Sequence, residues 1–225
     1  MGCADSSERG RRMSAEDRIE RARLLYERAV IGGDDSVLAV AERELNAVEA
    51  DLALARGRIL HARFLVERNE DPHELALFER AAQLYQLLGD VRGEGESLFW
   101  IGTFHQVVRH DDAAAVPALE RSCELATQVG DMLTLSYALR HLGIAAHAAG
   151  ELDVARQRLE ESVRLRRELG FLPGVAANLV GLAHIAAGQG RRDDALALID
   201  EAGAIAEASG AQVILRQVEE ARASV

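Results

Sequence analysis

The chain has 225 residues and a formal net charge of -11, long enough for one large domain or a short array of repeats, either of which buries a real core. Aromatic residues make up only 4% and there are three prolines, while Ala, Leu, Arg and Glu dominate, which speaks against a sandwich or barrel and for helices. The acidic charge argues against nonspecific binding to a phosphate backbone, and because all 26 basic residues are arginine, Schiff-base and P-loop lysine chemistry is removed from consideration.

At the N-terminus, Met1-Gly2-Cys3-Ala4-Asp5-Ser6 satisfies the N-myristoylation pattern with Cys3 placed for palmitoylation. The plainer reading is a disordered leader over residues 1–13, with Met13 as a candidate true start. The abundance of Arg, Ala and Gly suits a GC-rich bacterial genome. Cys3 lies in a polar tail and Cys123 in a helical pattern, so no disulfide framework is expected and a reducing cytoplasm fits. No apolar run approaches the roughly 18 residues of a membrane helix, and no signal-peptide apolar region follows Arg11-Arg12.

Residues 14–31 and 36–49 read as a helix pair around Gly32-Gly33-Asp34-Asp35. Beyond them a period emerges. Gly89, Gly130, Gly170 and Gly210 each follow an amphipathic run, at spacings of 41, 40 and 40, where a helix C-terminus needs positive φ. Gly102, Gly143 and Ala183 form a second column, preceded by Ile101, Leu142 and Leu182; small residues there let a neighbouring helix approach closely. Ala115, Ala155 and Ala195 form a third, and Leu119, Leu159 and Ile199 a fourth. The intervening turns, His110-Asp111-Asp112, Gly150-Glu151-Leu152-Asp153 and Gly190-Arg191-Arg192-Asp193, place an acid at a helix start, suited to free backbone N–H groups. Each unit is therefore predicted to be helix, short turn, helix, with residues 211–223 forming one closing helix.

These columns resemble the tetratricopeptide repeat family. Its first-helix pattern matches Leu98, Ile101-Gly102, His105; Leu139, Leu142-Gly143, Ala146; and Leu179, Leu182-Ala183, Ala186, and its second-helix alanine matches Ala115, Ala155 and Ala195. The likeness covers about residues 50 to 210. The period is near 40 instead of the family's typical 34 or so, Gly-Asp replaces the inter-repeat proline, and His61 and Glu74 stand in the small-residue and alanine columns of the first clear repeat. The resemblance implies an all-α, right-handed α-α superhelix of about five helix pairs plus a C-terminal capping helix, in one domain over residues 14–225. Its repeats would span 14–50, 51–90, 91–130, 131–170 and 171–210, with a cap over 211–225.

The resemblance further implies a non-enzymatic protein- or peptide-binding module, a regulatory or adaptor protein, whose first helices line a concave groove. Carried over column by column, that groove holds Arg58, Leu65, Glu96, Phe99, Trp100, Thr103, Gln106, Tyr137, Arg140, His141, Ile144, His147, Val180 and His184. Two readings of the central residues stand: a recognition surface of apolar anchors and fixed donors, or Trp100 half-buried between repeats with Arg140 paired to Glu96. The family's carboxylate clamp is matched only in its basic positions, Arg58 and Arg140, since Ala62 and Thr103 occupy the asparagine columns. An alternative is a small-molecule sensor or accessory protein. Self-association also stays open, because solenoid ends present apolar stacking faces.

Metal and catalytic readings find little footing. His105 and His110 are five apart and His141 and His147 six apart, whereas a helical metal pair needs i, i+3 or i, i+4, and no carboxylate or nucleophile is spaced beside them. Gly93-Glu94-Gly95 and Gly188-Gln189-Gly190 lack the GK[ST] of a nucleotide loop. Arg164, Arg166 and Arg167 interleave with Glu160, Glu161 and Glu168 and read as a salt-bridged face instead of a nucleic-acid patch. No cofactor, metal, nucleic acid or membrane is expected, and the location expected is cytoplasmic.

Overall fold

The computed structural model describes residues 13–225; the expected leader, apart from Met13, lies outside them. Among the described residues the chain is all helix: α1 (Ala15–Gly32), α2 (Leu38–Glu67), α3 (Glu74–Leu88), α4 (Val91–Thr103), α5 (Asp112–Val129), α6 (Met132–Ala148), α7 (Leu152–Glu168), α8 (Leu172–Gly188), α9 (Arg192–Ala208) and α10 (Gln212–Ser224). Each helix packs against the next, and α4 touches α6, α6 touches α8 and α8 touches α10. No described helix is long and apolar enough to cross a membrane.

Local chemistry explains most boundaries. Ser14 and Asp17 form a capping box on α1, and the carboxylates of Asp90, Asp111 and Asp131 accept from the backbone N–H of Gly93, Ala114 and Thr134. The acid expected to cap α7 does not do so: Glu151 makes no side-chain cap, nor does Arg191 at α9. Gly89, Gly130, Gly170 and Gly210 have φ between 67° and 71°, the left-handed turn that their column predicts.

Eleven helices were expected and ten are present among the described residues. The predicted break between residues 49 and 51 does not exist; α2 runs unbroken for 30 residues and serves both the first pair and the following repeat. Glu49-Ala50-Asp51 offers no glycine or proline to stop a helix, and α2's Gly57 packs instead of turning, because a Cβ there would lie 2.5 Å from the Phe78 ring. A boundary read from the repeat period was therefore overridden by helix propagation.

Within each repeat the two helices meet at the small-residue columns. A Cβ on Gly102 would fall 2.6 Å from Leu119 Cγ and 3.1 Å from the Ala115 carbonyl oxygen; on Gly143 the matching distances are 3.1 Å to Leu159 Cγ and 3.3 Å to the Ala155 oxygen. Ser122 Oγ donates to the Gly95 carbonyl at 2.7 Å, and Ser162 Oγ likewise to the Ser136 carbonyl. In the first repeat the two residues that depart from the pattern face each other at the same crossing: buried His61 Nδ1 lies 2.8 Å from the buried Glu74 carboxylate.

The spacing of 41 between Gly89 and Gly130 also has a structural cause. Thirteen residues separate Gly102 from Ala115, against twelve between Gly143 and Ala155, and the extra one is absorbed by a π-helical turn at Phe104–Val108. Within that turn Gln106, 8% exposed, falls into the buried column of Ala146 and Ala186, while His105, expected there, is only half-buried. Where the equivalent turns carry Gly150 and Gly190, this one carries His110 at φ 55°.

Two stability outcomes follow. Gly102→Ala is expected to cost about 1–3 kcal/mol, as overpacking does, and Gly143→Ala clearly less; equal losses in urea unfolding would contradict the difference in clearance. His110→Gly is expected to stabilise by about 0.5–1 kcal/mol by relieving left-handed strain on a side-chain-bearing residue, seen as a higher urea midpoint at unchanged m-value.

Candidate functional site

The residues carried over from the repeat columns separate into two regions. Toward the N-terminus they join a ladder of rings: Trp100 stacks on Phe78 at 5.6 Å, meets His61 at 5.4 Å and Phe99 at 5.1 Å, Phe99 meets Tyr137 at 5.4 Å, and Tyr137 meets Phe171 at 5.8 Å. Such ring pairs bury large areas in fixed geometry. Phe99 and Thr103 are 5% and 3% exposed and Gln106 is buried as described, so these three lie in the interior instead of on an open groove. Trp100 is half-buried between repeats.

The polar members of this region bond to one another. Arg58 pairs with Glu96 and lies 5.7 Å from the Trp100 ring, so Glu96 is the partner of Arg58, not of Arg140. His141 Nδ1 is 2.6 Å from Gln106 Oε1, and Gln106 Nε2 donates to the His141 carbonyl at 3.1 Å and to Asp112 at 2.7 Å. A donor Nδ1 on a neutral imidazole fits this arrangement. Burial first, then the charges of Arg140, Arg166 and His61, push the His141 pKa down to about 3.

Toward the C-terminus the groove residues do open onto a shared space. Arg140, Ile144, His147, Val180 and His184 line a cavity of about 440 Å³ between α6, α8 and α10, floored by Leu159 and Ile185. Its remaining wall comes from Gln217, Glu220 and Ser224 of α10, a helix that the repeat columns mark only as a cap. The signal was legible: three polar residues at spacings of three and four on one short helix share a face. His147 and His184 are exposed, and Ile144 is 37% exposed.

Arg140 is the charge at the head of this cavity. Its Nη1 donates to the Ala177 carbonyl at 2.9 Å and to Asn178 Oδ1 at 2.8 Å, and it enters no ion pair among the described residues, although Glu220 lines the same space. Behind it sits a second guanidinium that the sequence assigns to a surface face. Arg164 and Arg167 do pair outward with Glu161 and Glu201, but Arg166 is 1% exposed. It donates to the Gly174 carbonyl at 2.8 Å and to the same Asn178 Oδ1 at 3.0 Å, lies 4.9 Å from the Tyr137 ring, and leaves Nη2 without an acceptor. Asn178 is held in turn by donating to Ser162 Oγ at 2.7 Å. Burial lowers the pKa of both arginines to about 10, with the Arg140 charge adding to the effect on Arg166, so both stay cationic near neutral pH. Two guanidiniums thus converge on one neutral oxygen with no carboxylate between them.

Burial pushes the Cys123 thiol up to about 11, away from a reactive thiolate. Among the described residues, no group of three or more His, Cys, Asp or Glu is placed to hold a metal.

The depressed His141 pKa carries a pH signature. As pH falls from 6.5 toward 3, the unfolded chain takes up a proton that the native imidazole refuses, so stability is lost on acidification, at up to about 1.4 kcal/mol per pH unit from this group. His141→Gln is expected to flatten the stability profile across that window; a slope equal to wild type would mean that the native ring titrates normally.

No protein-family model and no curated protein sequence matches the chain. Among solved structures it is similar to BtubC (BKLC) from P. vanneervenii, at 17% identity and a TM-score of 0.47, over 88% of this chain and 93% of that one.

Proposed function

We propose that the chain is a tetratricopeptide-like binding module, a right-handed α-α superhelix with no catalytic role of its own, that holds a protein or peptide segment at the cavity between α6, α8 and α10. The observation that carries this reading is Arg140: a partly buried cation at the head of an apolar cavity, held in place by the Ala177 and Asn178 oxygens and unpaired with any carboxylate among the described residues. A fixed guanidinium of this kind recognises a planar carboxylate, the side chain of an acidic residue or a chain terminus. Ile144, Val180, Leu159 and Ile185 supply apolar contact beside it, and His147, His184 and Gln217 supply polar orientation.

A small carboxylic acid is the second reading, favoured by one observation: about 440 Å³ lies within the range of small-molecule sites, roughly 300–1,000 Å³. Both readings place the same charge at the same atom.

The test is a library of acidic peptides and a thermal-shift screen of small carboxylic acids, each repeated on Arg140→Gln. Loss of a charge-assisted hydrogen bond of about 1.5–3 kcal/mol predicts an affinity drop of tenfold or more. Ligands bound equally by Arg140→Gln, or none found in either set, would sink the proposal.

A further inference from the structure

The longest helix carries a row of apolar side chains that nothing in the described chain covers. Leu52, Ile59 and Val66 are 47%, 57% and 83% exposed, and with half-buried Val48 and exposed Ala55 and Ala62 they repeat at alternating spacings of four and three along α2. That is the seam of a coiled coil, one side chain per half-heptad on a single face. α1 covers only the earlier part of α2, where Arg18 and Arg21 bind Glu44 at 2.7 and 2.8 Å. In the next repeat the corresponding face is internal: 41 residues beyond Leu52 and Ile59 stand Gly93, against the Tyr85 ring, and Trp100, stacked on Phe78. The seam is therefore a stacking face of the repeat type without its stacked neighbour.

We infer that a second copy of this chain occupies it, α2 against α2 in antiparallel register about a two-fold axis at Gly57. Two properties of the seam select that occupant. The first is size. In this register Val48 meets the other copy's Val66, Leu52 meets Ala62 and Ala55 meets Ile59, so each large side chain faces a small one or a valine. The second is charge. Along the flank of the seam Glu42 and Glu49 precede Arg56 and Arg63, acidic then basic. An antiparallel pair sets Glu49 beside Arg63 of the other copy, twice, whereas a parallel pair sets Glu49 beside Glu44 and Arg63 beside Arg58 of the other copy, both like charges. Arg56 and Arg63 form no ion pair among the described residues, and Glu49 makes only an exposed one with Arg80. Arg56 meets its own copy near the axis, a repulsion that an exposed, flexible side chain relieves. The interface is isologous, as a two-fold dimer requires.

Sedimentation of the full chain at micromolar to sub-millimolar concentration is expected to give twice the 24.4 kDa monomer mass. Ile59→Glu, at an exposed position, is expected to raise the dimer dissociation constant about a hundredfold or more with helix content unchanged by circular dichroism. Register is read separately in a Cys3→Ser, Cys123→Ser background: Glu49→Cys with Arg63→Cys cross-links into a covalent dimer under mild oxidation, and neither single variant does. A monomeric wild type overturns the inference. So does a dimer indifferent to Ile59→Glu, or one that the paired cysteine variant does not cross-link, since a parallel pair holds residues 49 and 63 apart.

Discussion

The distance between paired helices, set by Gly102 over the Ala115 carbonyl and Gly143 over the Ala155 carbonyl, governs the rest of the molecule. When two backbones come that close, no room remains between them for side chains beyond the fourth-column residues Leu119, Leu159 and Ile199, all at most 2% exposed. Most large rings then lie between repeats, where Trp100, Phe99 and Tyr137 form their ladder, while Phe78 at its end sits inside the first pair in the space that Gly57 leaves. The buried serines follow from the same closeness, because a hydroxyl on one helix reaches a carbonyl on its neighbour only at short range, as Ser122 and Ser162 do. Where the first repeat abandons the small residues, His61 and Glu74 restore contact by a buried polar bond.

A chain of net charge -11 buries Arg166 and half-buries Arg140 beside it without giving either a carboxylate partner among the described residues. Desolvation opposes this arrangement, and what offsets it is neutral: the Gly174 and Ala177 carbonyls, one asparagine oxygen and the faces of Tyr137 and Phe171. Because Asn178 Oδ1 accepts from both, neither guanidinium can move without changing the other's bonding. That coupling fixes Arg140 at the cavity head more firmly than a surface ion pair would, since a flexible carboxylate would release it as readily as it holds it.

The helical class, the left-handed glycine turns and the small-residue crossings could all be read from the sequence, because each depends on local residue type at a fixed spacing. The fused α2 could not be read from the period: a helix continues wherever nothing stops it, and the period records packing, not termination. Arg166 was hidden by its neighbours, since Arg164 and Arg167 make the outward pairs that the charge pattern implies while one residue between them turns inward. Of the candidate site, Arg140, Ile144, His147 and His184 were legible as one column per turn of α6 and α8, but the wall from α10 depends on how a later helix crosses them. Phe99, Thr103 and Gln106 occupy groove columns by count and interior positions by geometry.

The π turn at Phe104–Val108 sets a frontier along the molecule. In a regular α-helix a single additional residue would rotate everything after it by about 100° around the axis. The π turn absorbs it, so that Gln106 in place of His105 takes the inward column and meets His141. On the N-terminal side of this lock the polar side chains, Arg58, Glu96, Gln106 and His141, are already partnered within the chain. On the other side Arg140 begins a surface with bonding capacity to spare. The proposed ligand at Arg140 would therefore meet side chains already partnered on that flank, a setting that favours a short ligand over a long extended one.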